Sequence, residues 1–259
     1  MRISASAIND TQECELKGFW KYVEKRKGSV ESPYGVFGSC LHASIADIIK
    51  SNAIGDNEFI KINWTENFYN SFVKKSPTFN KDPQEFLKDG EHMLISWSND
   101  MIKRGWTNAN VLFLEEYFKI KVSGDMTMSG FIDLVFELDG ETYLVDWKSN
   151  YKISTKEEVN NSNQLSMYYF ASTYQDIDID KIGFYFLRYN KFVETARGIS
   201  DMSKLFDISI ETKNRLKKNN LNASYSEKNC KFCEHKKECM AFQTKSHMVF
   251  DKNKKLFIG

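Results

Sequence analysis

No apolar run in this sequence approaches the roughly 18 residues needed to cross a bilayer. The opening Met-Arg-Ile-Ser-Ala-Ser-Ala-Ile-Asn-Asp lacks the continuous apolar core of a secretory signal. No membrane association is expected, and an intracellular setting is, where five cysteines are poor candidates for structural disulfides. A Gly-rich phosphate loop ending in Gly-Lys-Ser/Thr is missing, which argues against an ATP-driven motor. There is no internal repeat and no long Gly/Ser/Pro linker. Net charge is nearly absent too, +1 from 36 Lys or Arg against 35 Asp or Glu. That balance excludes little, because acidic metal ligands and basic phosphate contacts can cancel within one site.

Apolar and aromatic residues are plentiful, 41% and 14% of the chain, with 20 Phe and 12 Tyr. A disordered chain is thereby excluded. The length of 259 residues suits one substantial domain, or one with a small appended module. Residues 211–259 carry 12 Lys or Arg against 5 Asp or Glu. That excess could follow a phosphate backbone or be a solvated helix face with a loose basic tail.

The first hundred residues read as helical. Ser4 or Ser6 can cap a first helix, Phe37, Leu41, Ile45, Ile48 and Ile49 recur at helical spacing, and 58–75 suits another helix. Pro83 fits the first turn of a helix with Phe86, Leu87, Leu94, Trp97 and Met101 on its apolar side. Strands are then expected over 111–122, 131–138, 141–148, 181–189 and 191–195, with helices over 157–174 and 201–219. The expectation is one domain over 1–259, divided into a mainly helical part (1–110), a sheet with its helix (111–200) and a helix with a cysteine-rich cap and basic tail (201–259).

Asp139-Gly140 is a strong two-residue hairpin signal. With 138 opposite 141, the register sets Asp133 directly across from Asp146. Opposed Cβ atoms lie roughly 4.5–5.5 Å apart, and two carboxylates that close repel unless a cation lies between them. Lys148, two residues past Asp146, shares its strand face. Two oxygen ligands with a lysine suit Mg²⁺ or Mn²⁺ and in-line attack on a phosphodiester. Surface ion pairs on an exposed hairpin would explain an isolated set of this kind. The apolar neighbours Ile132, Leu134, Val135, Leu144 and Val145 argue instead for a buried sheet, where charges need a reason.

Gly130-Phe131-Ile132-Asp133 and Asp146-Trp147-Lys148 resemble the G-x-x-D and D/E-x-K elements of the PD-(D/E)XK nuclease superfamily. Gln164 and Tyr168, four apart on one helix face, match the Q-x-x-x-Y motif of its RecB-like members. Gly38 to His42 matches their G-x-x-x-H. The resemblance implies a restriction-endonuclease-like α/β fold, a mixed sheet flanked by helices, and a DNA exonuclease acting on single-stranded ends. It implies Asp133, Asp146 and Lys148 as catalytic residues. Mg²⁺ or Mn²⁺ would be held by His42, Asp133, Asp146 and the carbonyl of Trp147, and Gln164 and Tyr168 would meet substrate. Either Glu115 or Glu116 stands where related enzymes often have an acid.

Cys230-x-x-Cys233 followed by Cys239 is close-spaced metal-ligand geometry lacking a fourth thiolate, which Cys14 can supply. This arrangement resembles the iron–sulfur exonucleases, among them AddAB-type nuclease subunits, CRISPR-adaptation exonucleases and phage RecB-like nucleases. It implies a structural [4Fe–4S] cluster on Cys14, Cys230, Cys233 and Cys239, and DNA and recombination or CRISPR-adaptation proteins as partners. Glu15 departs from the proline that many members have there. Zinc is the alternative, on Cys230, Cys233 and Cys239 with Cys14, His235 or His247, and Cys40 reads as a small buried helix residue. Residues 54–110 are not covered clearly by the resemblance and suit a helical insertion shaping DNA access. The rival from another class is a non-catalytic nucleic-acid-binding or partner-docking module on the same fold.

Overall fold

The computed structural model describes residues 1–28, 32–75 and 82–258. Parts of the expected helical region 1–110 (29–31 and 76–81) and Gly259 of the tail lie outside the described residues. A short β1 (Arg2–Ile3) leads into α1 (Ala5–Glu13) and α2 (Glu15–Gly18), which runs on as a π-helical turn over Phe19–Val23. Three longer helices follow: α3 (Pro33–Lys50), α4 (Asn57–Asn67) with a π-helical extension over Phe68–Val73, and α5 (Pro83–Lys103). The strands β2 (Asn110–Ser123), β3 (Met126–Leu138) and β4 (Glu141–Lys148) come next, then α6 (Lys156–Asn160) and α7 (Asn163–Thr173). β5 (Lys181–Phe186), β6 (Lys191–Thr195) and α8 (Ile199–Lys217) complete the main body. The C-terminal part holds β7 (Asn220–Ala223), α9 (Glu227–Cys230), α10 (Met240–Thr244), β8 (Met248–Asp251) and β9 (Leu256–Ile258).

Local chemistry explains many of these boundaries. Ser4, not Ser6, caps α1 by accepting from the Ala7 amide. Pro83 sits in the first turn of α5, where Asp82 accepts from Gln84. Asp139 and Gly140 both have positive φ, 52° and 81°, as a two-residue hairpin matched to strand twist requires. The expected single helix over 157–174 is two. A Thr155/Glu158 capping box starts α6, and Ser162 caps α7, so the chain turns between them. The expected strand over 181–189 ends at Phe186 in a 3-10 turn.

The main sheet runs β1-β3-β4-β5-β6, with β2 also paired to β3. Since β2 pairs along nearly the whole of β3, β1 and β4 must share its other edge. β4 takes Leu134–Leu138 antiparallel and β1 takes Thr127 and Met128 parallel. Between these two pairings the edge of β3 is left open. β4–β5 is parallel and β5–β6 antiparallel, which makes the sheet mixed, as expected.

Helices cover both faces. On one, Leu134, Phe136, Val145, Trp147 and Tyr185 pack with α3, α4 and α5 through Leu41, Trp64 and Trp97. On the other, Val135, Leu144, Ile182 and Phe184 pack with α1, α6, α7 and α8 through Ile8, Val159, Leu165 and Leu205. α4 and α5 therefore belong to a core layer. A third, smaller core joins Leu16, Phe19 and Trp20 to Leu216, Leu221, Ala241 and Phe250. There β7, β8 and β9 form a second sheet where a loose basic tail was one of the expectations.

Trp64 lies fully buried across α5, its indole N–H donating to the Leu87 carbonyl at 2.8 Å. A Cβ at Gly90 would fall 2.0 Å from its ring. Gly90→Ala would gain roughly 1 kcal/mol of helix propensity. Overpacking of this kind costs about 1–3 kcal/mol, and the clash should win. We expect a lowered midpoint in urea or heat; a raised one would mean that Trp64 moves aside freely.

Candidate functional site

The open stretch of the β3 edge faces a cleft lined by β1, α1, α3, β2, β3, β4 and α7. Trp147 explains how the D-x-K segment is presented. Its indole is buried against Trp97 and Tyr185, ring centroids 5.8 and 5.4 Å away, which sends Asp146 and Lys148 to the opposite strand face. The β3–β4 pairs follow the expected register from Leu138↔Glu141 down to Leu134↔Val145. One step further, the Asp133 carboxylate accepts the Trp147 amide at 2.9 Å. Asp133 and Asp146 are both buried, 4% and 1% exposed.

Two linked groups converge there. In the first, Lys148 Nζ stands 2.6 Å from Asp146 Oδ2 and donates to Gln164 Oε1 at 2.8 Å. Gln164 Nε2 in turn donates to Asp146 Oδ1 and to the Tyr168 hydroxyl, both at 2.7 Å. One amide thus holds base, acid and phenol together, and its orientation is fixed because its oxygen must face the ammonium. Gly130 makes room for this helix. A Cβ there would meet Phe118 at 3.0 Å and Tyr168 at 3.6 Å.

In the second group, His42 Nδ1 lies 3.3 Å from Asp133 and 3.6 Å from Glu115, while Nε2 is 3.0 Å from the Trp147 carbonyl. Ligand atoms of His42, Glu115 and Asp133 all fall within 4.8 Å of one another, the spread a metal ion can bridge. Glu115 is thereby distinguished from Glu116. It adopts φ of 51°, a left-handed conformation rare for a residue with a side chain and typical of functional sites. The β2–β3 ladder skips it, pairing Leu114 and Glu116 with Leu134 and Ile132. Sequence reasoning could not choose this residue, since nothing local marks a left-handed glutamate.

Electrostatics here favour a cation. Glu115 Oε1 is buried without a hydrogen-bond partner, a costly state for an acceptor, and Asp146 Oδ2 is buried with the Lys148 ammonium beside it. Burial, and then the charge of Asp133, push Asp146 up to about 6. Burial acts to lower His42, but the charge of Asp133 and contacts with Asp133 and Glu115 raise it well above the usual histidine range. Burial and the two aspartates also keep the Tyr168 phenol protonated. Besides His42, the basic side chains lining the cleft among the described residues are Arg2, Lys50 and Lys148. The basic excess over 211–259 contributes none, and two of its lysines, 213 and 217, are paired with Asp125.

The cysteines gather elsewhere. Cys14, Cys230, Cys233 and Cys239 line one pocket beside the third core, together with Trp20 and His235. Cys40 is apart, buried in the core layer of α3. Burial above all pushes up the Cys14, Cys233 and Cys239 thiols, and the neighbouring thiols add to it. Four thiolates would need a cation between them. His235 is 2% exposed with both ring nitrogens unpartnered, while His247 accepts from the Tyr225 amide and does not line the pocket. Among the described residues no three of the cysteine sulfurs lie within 4.8 Å of one another.

Comparison with known proteins gives one informative match. The model of a family described as the PD-(D/E)XK nuclease superfamily matches residues 2–240. Among solved structures the chain is similar to one described as "Crystal structure of SSO0001", at 14% identity and a TM-score of 0.36, over 88% of this chain and 93% of that one. No curated protein matches.

Proposed function

Since this chain belongs to the PD-(D/E)XK nuclease superfamily, we propose that it is a metal-dependent deoxyribonuclease, an exonuclease on single-stranded ends, working through Asp133, Asp146 and Lys148. The observation that carries this reading is the joining of these three, with His42, Glu115, Gln164 and Tyr168, in a single cleft. A binding module would have no use for two buried carboxylates, one held against a lysine and the other against a histidine.

Mg²⁺ or Mn²⁺ fits the donor set of Asp133, Asp146, Glu115, His42 and the Trp147 carbonyl, which includes the buried Glu115 oxygen that lacks a hydrogen-bond partner. When bound, such an ion supplies Lewis-acid activation and neutralises phosphoryl charge. The remaining work falls to the chain. Gln164 holds the Lys148 ammonium at the carboxylate, where it can orient an attacking water and steady charge on a phosphoryl oxygen. Tyr168 stays neutral and fixes Gln164. The Trp147 anchor keeps Asp146 and Lys148 from turning away.

The cysteine pocket supports a structural [4Fe–4S] cluster on Cys14, Cys230, Cys233 and Cys239. A single zinc at about 2.3 Å from each thiolate would bring the sulfurs to roughly 3.8 Å from one another. Iron and sulfide content, against zinc, tells the two groups apart.

The test is digestion of end-labelled single-stranded DNA with and without Mn²⁺, on free and end-blocked substrates. Loss of cleavage on chelation and protection by end-blocking are expected; a folded protein that binds but never cuts would favour the non-catalytic rival. Metal affinity should also depend on pH. A proton on Asp146 or His42 competes with the ion, so Mn²⁺ binding by calorimetry should tighten as pH rises through about 6 and on past neutrality. An affinity independent of pH would remove both from the ligand set.

A further inference from the structure

Exposed aromatic residues are unevenly placed on this protein. Scattered singly they need no explanation. Among the described residues, however, five of the eight exposed aromatics are linked to the cleft: Tyr34, Tyr117, Phe131, Tyr151 and Tyr189. Phe131 and Tyr34 line it directly. Tyr117 is the direct cross-strand partner of Phe131, with ring centroids 5.0 Å apart and planes tilted by 47°. Tyr34 meets Tyr151 edge-on at 6.1 Å, and the Arg188 guanidinium lies 3.8 Å from the centre of the Tyr151 ring. Tyr189 donates its hydroxyl proton to the Tyr151 carbonyl.

The pair on the strands is the more telling. Phe131 is 52% and Tyr117 43% exposed, on the interior strand β3 and the edge strand β2 beside it. Phe131 stands two residues before Asp133, and Tyr117 two after Glu115. Two residues along a strand span about 6.6 Å, or about two stacked base steps of about 3.4 Å. A base attached within one or two nucleotides of a phosphodiester at the acids would therefore meet this aromatic pair. Sheet stability alone does not demand it, since an aromatic pair is favourable only by a modest amount and a buried one would serve better.

We infer that Tyr117 and Phe131 form a stacking platform for an unpaired base of single-stranded DNA, next to the reacting phosphodiester. The inference rests on the nuclease reading for the position of that phosphodiester. Aromatic rings accept any base whose face is free. In a duplex both faces are covered by neighbouring base pairs, so the platform selects for unpaired strands at the point of reaction.

Binding measured in chelator, where no metal-dependent turnover can occur, tests the platform separately from the chemistry. The full chain and its Phe131→Ala, Phe131→Tyr and Tyr117→Ala variants are titrated with a single-stranded oligonucleotide carrying 2-aminopurine, with the same oligonucleotide made abasic at that position, and with RNA and duplex DNA counterparts. The unsubstituted protein should quench the fluorescent base. Phe131→Ala should bind the single strand about tenfold more weakly, with Phe131→Tyr restoring it and duplex binding unchanged. The abasic strand should cost the unsubstituted protein a similar factor and cost Phe131→Ala nothing more. Loss of affinity that ignores the base, or unchanged affinity in Phe131→Ala, would overturn the platform, and RNA bound more tightly than DNA would overturn the choice of strand. Failure of the unsubstituted protein to cleave in Mn²⁺ would fall on the nuclease reading alone.

Discussion

Asp146→Asn should leave a folded protein with almost no turnover, and Lys148→Ala the same. Either change removes a group that the proposed chemistry needs at the transition state, a loss worth about a hundred- to ten-thousandfold in rate. It should fall on kcat and kcat/KM alike, with substrate affinity little altered. The fold should not suffer from Asp146→Asn, whereas Lys148→Ala strips buried Asp146 of its counter-ion and should lower the midpoint. The asparagine keeps an oxygen for Gln164, and it ends the repulsion with Asp133 that helps push Asp146 up to about 6. A thermal midpoint equal to that of the unsubstituted protein, or higher, is expected of Asp146→Asn, as at sites where activity is kept at the expense of stability. Full activity in both variants would place the chemistry elsewhere.

Cys14→Ala should act at a distance from that site. Under the cluster proposal Cys14 ties α1 and α2 to a pocket more than 200 residues later in the chain. In the chain-entropy model a closure that long restrains the unfolded state by roughly 5 kcal/mol, and the binding free energy of the metal group adds to folding. The variant should lose brown colour, iron and sulfide. Amide exchange should quicken in α1, α2 and β7–β9, while Asp133 and Asp146 keep their sequence and strands. Cys40→Ala, in a different core layer, should leave the colour intact. Zinc in a colourless, folded, unsubstituted protein would decide for the rival metal.

Much of this arrangement was legible before any coordinates. The Asp139-Gly140 turn gave the hairpin its register, because a two-residue loop admits one pairing and side chains alternate with period two. Spacing put Gln164 and Tyr168 on one helix face, but only the resemblance to the Q-x-x-x-Y motif marked them as site residues, while the burial of Ile132, Leu134, Val135, Leu144 and Val145 followed from their run of apolar side chains. Other features depend on information that is not local. Glu115 is set apart from Glu116 by a left-handed backbone that only its position opposite Asp133 accounts for. The β7–β8–β9 sheet was missed because its strands are three or four residues long and lie among lysines. Its final turn could have been found, since Asp251 accepts from the Asn253 and Lys254 amides in the manner of an Asx turn. The break between α6 and α7 was also readable, from Ser162 as a cap.

The third core has a consequence for the order in which the protein can be made. Leu16, Phe19 and Trp20 leave the ribosome well before residues they pack against, from Leu216 to Phe250. β1 likewise waits for Thr127 and Met128. At about 5–20 residues per second, those three apolar side chains stay without native neighbours for roughly 10–45 s of each synthesis. A nascent chain in that interval should be a client for holding chaperones, and the dependence should fall on the first 28 residues, since α3 to β5 can complete their packing while the end of the chain is still being translated.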